Sequence, residues 1–179
     1  TSAIGKALID ELHRSPKIDF RCPSRAERID ISPALNSVRT ETTDGTVLSS
    51  LVVLADGGRS PATTMIGVNK KIKKYSEHAL VGIVGVDRDH HGTAFERFTE
   101  HGPLALLPLV NQGFALAWTL PEHDAKEMTA LPTEEFLSLL QDSFGDRAGF
   151  FTACNQLTTY PLSQVEIESP VSNRCVAVG

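Results

Sequence analysis

A short apolar run that breaks into an acidic, glycine-rich turn constrains this chain more than any other feature. Residues 51–54 read Leu-Val-Val-Leu; Ala55, Asp56, Gly57, Gly58 and Arg59 follow, then Ser60-Pro61. Apolar residues without polar alternation suit a strand covered on both faces, as in a parallel sheet. Proline suits the first turn of a helix, so the segment predicts strand, tight turn and helix start. Glycines let a backbone approach a ligand closely, and a carboxylate at the carboxyl end of a strand lies where open α/β sheets bind theirs. An ordinary strand–turn–helix connection carries the same pattern, so the residues alone leave both readings open.

The surrounding periodicities extend this frame. Ile4, Leu8, Ile9 and Leu12 share one helical face, with Ser2 placed to cap it and Pro16 to end it. A short strand is expected over 18–22 and a run of strands over 25–54, turning tightly at Asp44-Gly45. Four more strands are expected over 79–86, 94–100, 104–109 and 114–120. A helix capped by Thr133 follows, with Glu134 and Glu135 at its positive end. Phe136, Leu137, Leu140 and Phe144 form its apolar stripe and Gly145 closes it; further strands are expected over 160–167 and 175–178. The pattern changes near residue 65. The expectation is therefore an α/β fold with an α+β insertion. Residues 1–65 form part of a nucleotide-binding domain with a small antiparallel extension. Residues 66–170 form a mixed or antiparallel sheet with helices on one face, and 171–179 a strand returning to the first domain.

Charge and cysteine usage narrow the function. The net charge of −5 and pI near 5.6 leave no basic stretch to neutralise phosphates, which excludes nucleic acid as a partner. Lys70-Lys71-Ile72-Lys73-Lys74 reads as a solvated turn, with contact to an anionic membrane surface as the alternative. Cys22, Cys154 and Cys175 contain no C-x-x-C pair, which argues against a disulfide framework or zinc site and fits a reducing, cytosolic setting. The apolar runs are strand-length, too short for a transmembrane helix. The chain opens without methionine and stops at the end of an apolar run, so both ends read as cut and an internal piece of a longer protein is expected.

Taken whole, residues 51–61 resemble the Asp-Gly fingerprint of the FAD-dependent aromatic hydroxylases, the p-hydroxybenzoate hydroxylase-like group. Residues 94–108, Ala-Phe-Glu-Arg-Phe-Thr-Glu-His-Gly-Pro-Leu-Ala-Leu-Leu-Pro, are similar to the segment marking the ubiquinone-biosynthesis branch of that family. Asp142 to Arg147 and Tyr160-Pro-Leu162 continue the likeness, and Arg21 to Ala26 resembles the part of the nucleotide domain that passes the adenine. The resemblance implies FAD as cofactor and NAD(P)H as reductant. It implies oxygen transfer to a prenylated phenol, other ubiquinone-biosynthesis proteins as partners, and a cytoplasmic protein, peripheral at the inner membrane. Asp56 would lie by the ribityl and pyrophosphate portion, Gly57, Gly58 and Arg59 would form its turn, and Ala26 would be a small apolar position near the adenine. The apolar wall for the substrate is expected on the strand carrying Leu104, Leu106 and Pro108, with His101 at its start. A wholly buried strand is the competing reading.

The departures are as specific as the likeness. No G-x-G-x-x-G is present, since Gly82-Ile-Val-Gly85 lacks the spacing, and the family's Gly-Asp or Gly-Asn motif would begin at Gly179. The rival readings are a sister hydroxylase acting at another ring carbon and a non-catalytic domain holding an apolar ligand. Asp89-His90-His91 also resembles a phosphoesterase signature, but reads more simply as a polar turn. No metal set and no catalytic acid–base pair stands out. Ser60 lies outside any G-x-S-x-G elbow. Trp118 and the phenylalanines read as core.

Overall fold

The computed structural model describes residues 2–32, 36–57, 60–110 and 113–178. In chain order the elements are α1 (Ser2–Arg14), β1 (Ala26–Ser32), β2 (Ser37–Thr42), β3 (Gly45–Ser49), β4 (Val52–Leu54), α2 (Ala62–Met65), β5 (Lys70–Val86), β6 (Phe95–Thr99), β7 (Gly102–Pro108), β8 (Phe114–Pro121), α3 (Glu122–Ala130), α4 (Thr133–Phe144), β9 (Phe151–Ile167), β10 (Val171–Ser172) and β11 (Cys175–Ala177). They fall into two compact units, residues 1–71 with 165–179, and residues 72–164.

In the first unit β1, β2 and β3 form an antiparallel meander. Thr42 pairs with Gly45, so the turn is made by Thr43 and Asp44, one residue earlier than the sequence suggests. Gly45 takes the positive φ of +139° that a side chain would resist. β4 pairs in parallel with β11, Val52 opposite Cys175 and Leu54 opposite Ala177, which meets the parallel-sheet expectation. Double coverage is not met: Leu54 is buried, while Leu51 and Val53 are more than half exposed. Ile29, Val38, Leu54, Ala62, Ile66, Val68, Cys175 and Ala177 make up the core.

Two expectations fail here for the same physical reason. Residues 18–22 form no strand; a strand needs a ladder partner, and none of the described strands supplies one. Helix α1 forms and ends before Pro16, but Ile4 and Leu8 on its apolar stripe are 67% and 62% exposed. Periodicity reports a face, not its cover. The side chain of Ser2, the expected cap, lies outside the described ones.

The second unit is a five-stranded sheet in the order β6-β7-β8-β5-β9, with β8 antiparallel to both β7 and β5. Along β8 the period of two is strict: Phe114, Leu116, Trp118 and Leu120 are buried and the residues between them are not. The buried row packs with Leu80, Val84, Leu104 and Leu106 of the sheet against Ala125 of α3 and Phe136, Leu140 and Phe144 of α4. Each of the larger apolar side chains contributes about 1.5–3 kcal/mol by burial.

Helix α3 is not anticipated by the sequence, because only Ala125 is buried and no apolar stripe announces it. Helix α4 begins at Thr133, with Pro132 rather than Thr133 in the capping position and no side-chain cap bond. Gly145 closes it at φ +84°, donating to Gln141 O at 2.7 Å. The lysine run is the solvated start of β5 and not a turn: Lys70 Nζ donates to Ser60 O at 2.9 Å, Lys71 pairs with Glu168, and Lys73 lies 5.4 Å from the Tyr75 ring centroid. No described helix is long and apolar enough to cross a membrane.

Candidate cofactor site

The carboxyl end of β4 opens onto a hollow of about 440 Å³ in the first unit, between Ser24, Arg25 and Ala26 on one side and Asp56 and Ser60 to Ala62 on the other. Each wall is built locally. On the first, the β2–β3 turn clamps the segment leading into β1. Thr43 N donates to Arg25 O at 3.0 Å and Arg25 N to Thr43 Oγ1 at 3.2 Å. Ser24 Oγ and Thr42 Oγ1 both donate to the Asp44 carboxylate. Those hydroxyls, Ser24 first, hold the Asp44 carboxyl below its ordinary range.

On the second wall, Gly57 takes φ +84° and turns the chain out of the strand; a residue with a Cβ would be strained there. Ser60 N donates to Gly57 O at 3.0 Å, Ser60 Oγ donates to the Asp56 carboxylate, and Ala62 N donates to Ser60 Oγ at 3.0 Å. The turn therefore fixes Asp56 while using one of roughly four lone-pair positions on an ionised carboxylate. Acceptor capacity remains for hydroxyl or water donors in the hollow.

The structure thus brings Asp56 and Ala26 to one site, with Gly57 shaping the turn behind it; Gly58, Arg59 and Gly179 lie outside the described residues. Ser24 and Ser60 were not singled out for this site by the sequence. A signal for Ser60 existed in its place four residues after Asp56 and directly before a proline. For Ser24 there was none, because its partner Asp44 lies twenty residues away.

The expected substrate residues are not gathered in the same way. Leu104 and Leu106 are fully buried in the core against the helices, so a ligand reaches neither without opening that core. Pro108 is half-buried at the far end of β7, and His101 sits half-exposed at its start, its backbone N 3.3 Å from Thr99 Oγ1. The strand does present alternate faces, but the open one carries Ala105 and Leu107. In register, Ala105 lies beside Ala117 and Leu107 beside Ala115; across β8, Val81 lies beside Ala117 and Ile83 beside Ala115. Three alanines, Ala105, Ala115 and Ala117, rimmed by Val81, Ile83 and Leu107 make a shallow apolar trough along β8. The Ala-x-Ala spacing at 115 and 117 was the available sign of it.

The Asp-His-His stretch is a turn. His90 Nε2 lies 2.9 Å from Leu109 O and its Nδ1 accepts from Gly92 N at 2.9 Å, while Asp89 Oδ1 accepts from His91 N at 2.8 Å. Both imidazole nitrogens are committed to the backbone, which removes the phosphoesterase reading.

No family model matches the chain. Its fold is that of the flavin-dependent monooxygenases. The chain superposes on pqsL from Pseudomonas aeruginosa with a TM-score of 0.80 at 16% identity, covering 97% of this chain and 50% of that one. On p-nitrophenol 4-monooxygenase PnpA from Pseudomonas putida DLL-E4 the TM-score is 0.70 at 18% identity, covering 99% and 46%. By sequence the chain is a homologue of part of the ubiquinone-biosynthesis hydroxylases. It is 31% identical over 175 residues to ubiquinone hydroxylase UbiL of Rhodospirillum rubrum, covering 97% of this chain and 40% of UbiL. It is 28% identical over 163 residues to the mitochondrial ubiquinone biosynthesis monooxygenase COQ6 of Caenorhabditis elegans, covering 89% and 36%. A Synechocystis protein is 30% identical over 178 residues, covering 97% and 42%. The chain spans about two fifths of the length of the curated relatives it matches.

Proposed function

We propose that this chain is part of an FAD-dependent monooxygenase that hydroxylates a prenylated phenol, of the 2-polyprenyl-6-methoxyphenol kind, in ubiquinone biosynthesis. The observation that carries the reading is the hollow at the end of β4, where Asp56 and Ala26 meet. A carboxylate at the end of a parallel strand, fixed by its own turn, suits a polyhydroxylated ribityl chain. Hydroxyl donors there are worth roughly 0.5–1.5 kcal/mol each. Ala26 leaves room for a flat heterocycle where a larger side chain would intrude. On this reading residues 1–65 and 171–179 serve FAD and residues 66–170 the substrate.

The flavin, reduced by NAD(P)H, supplies the activation of oxygen and its transfer to the ring. What the chain supplies is position. Asp56 accepts from the cofactor's hydroxyls, and Gly57 keeps the backbone out of its path. The trough of Ala105, Ala115 and Ala117, rimmed by Val81, Ile83 and Leu107, offers a flat apolar bed for a phenol and its prenyl tail and keeps water from it. Other proteins of the pathway, and the membrane surface where a prenylated substrate dissolves, are the expected surroundings. The exposed Lys71, Lys73 and Lys74 near the start of β5 suit an anionic lipid surface.

The test is made on the complete reading frame. Purified protein should carry about one FAD per chain and consume oxygen and NAD(P)H when given the phenol. Asp56→Ala should weaken FAD retention several-fold, as the loss of one or two such bonds would, with circular dichroism unchanged. A folded Asp56→Ala protein with unaltered FAD affinity overturns the site. The relatives' names favour ubiquinone hydroxylation without fixing the ring carbon, which NMR of the product decides.

A further inference from the structure

Away from the trough, on the helix side of the second unit, two hollows meet. One, of about 230 Å³, has Leu120, Met128 and Leu131 in its floor and Asp124 and Glu127 at its edge. The other, of about 440 Å³, has Arg97, Thr99 and Ser143 in its lining and Glu100 and Asp142 at its edge. Leu139 and His101 line both, so the two hollows adjoin in one groove-like face. Leu139 is 43% exposed, an apolar side chain that folding of this unit does not cover.

The charge around the groove is one-sided. Helices α3 and α4 carry Glu122, Asp124, Glu127, Glu134, Glu135 and Asp142 against a single lysine, Lys126, which is paired to Glu122. Arg97, which lines the second hollow and donates to Phe144 O at the end of α4, is one guanidinium against these carboxylates. We propose that this groove docks a basic amphipathic segment of a partner protein. Its apolar side chains enter the two hollows, and its lysines or arginines meet Glu100, Asp124, Glu127 and Asp142. Apolar anchors in a groove with charges at the rim are the usual division of labour for a helix bound in a groove. The same rim argues against the other occupants: carboxylates repel an anionic lipid surface, and two copies of an acidic face repel each other. The inference rests on the second unit alone and is independent of the flavin reading.

A fluorescein-labelled synthetic helix with leucines on one face and lysines on the other serves as probe, with anisotropy as readout. The unaltered chain should bind it, and should bind the sister peptide with glutamate for lysine far more weakly. Reversing the four rim carboxylates together (Glu100→Lys, Asp124→Lys, Glu127→Lys, Asp142→Lys) should weaken binding by about tenfold or more, as several exposed charge pairs lost at once would. Reversing four exposed carboxylates elsewhere (Glu11→Lys, Glu27→Lys, Glu166→Lys, Glu168→Lys) should change it less than about twofold. Leu139→Ser should weaken binding without altering the circular dichroism, whereas Phe98→Ser, on the opposite face of the sheet, should leave binding unchanged. Equal loss in rim and control variants, absence of binding, preference for phosphatidylserine vesicles, or self-association abolished by Leu139→Ser each overturns the proposal.

Discussion

Asp56 lines the hollow at the end of β4 and Asp44 holds Ser24 of its other wall, and each carboxylate accepts from a serine hydroxyl, Ser24 for Asp44 and Ser60 for Asp56. The two contacts make different predictions. Removing the main donor to Asp44 with Ser24→Ala should bring its carboxyl back up toward the ordinary range, read by carbon-detected NMR titration of the side chain. Because its folded pKa lies below the unfolded one, Asp44 stabilises the fold in full above the ordinary carboxylate range. That contribution is lost as the pH falls through the depressed value. Asp44→Asn should therefore flatten the acid limb of the stability curve; an unchanged limb would show that the hydroxyls do not favour the ionised form. At this scale the sequence exposes Asp56 well, since the strand, carboxylate and glycines are contiguous. It conceals Ser24, whose partner arrives only when the β2–β3 hairpin folds over it. Leu104 and Leu106, both fully buried, mark the limit of the pattern: a period of two separates the faces of a strand but does not say which face is covered.

Strand β7 turns that ambiguity into an experiment. Leu106 sits in the core and its neighbour Leu107 on the open face, 51% exposed. Leu106→Ala should cost about 2–5 kcal/mol of stability, seen as a large fall in Tm. Leu107→Ala should leave Tm almost unchanged and raise KM for the prenylated phenol in the complete enzyme, with kcat less affected. A destabilised Leu107→Ala protein with normal KM would remove the trough from the substrate's path. Among the elements, those with strong internal patterning were legible: the meander, the central strands, and α4 with its Phe136, Leu140 and Phe144 stripe. Helix α3 was not, because an acidic first turn and one buried alanine leave no period to detect. The short strand β10 was not either, since it exists only as the antiparallel partner of β11. Helix α1 was legible in conformation and not in setting.

The three cysteines sample the molecule at three depths: Cys22 exposed, Cys154 half-buried in the second unit and Cys175 buried in the first. Burial raises the thiol pKa of both Cys154 and Cys175, so less of the reactive thiolate is present in either. Iodoacetamide at neutral pH, followed by mass spectrometry, should modify Cys22 first and Cys154 slowly. Cys175 should react only when the β10-β11-β4 sheet opens; labelling of Cys175 as fast as Cys22 would mean that sheet is not formed. The order also bears on how the chain is made. β4 finds its parallel partner in β11 roughly 120 residues later, with the whole of the second unit between them. The entropy of closing so long a loop rises only slowly with length, so the native pairing is not much weakened by it. The timing is what suffers. Until the ribosome has delivered Cys175 to Ala177, the backbone groups of β4 on that side lack their partner, on a strand that carries exposed Val53 and follows exposed Leu51. Each nascent chain therefore carries an open apolar edge while the residues between β4 and β11 are made, a template for pairing with its neighbours on a polysome and a reason for a chaperone to wait there.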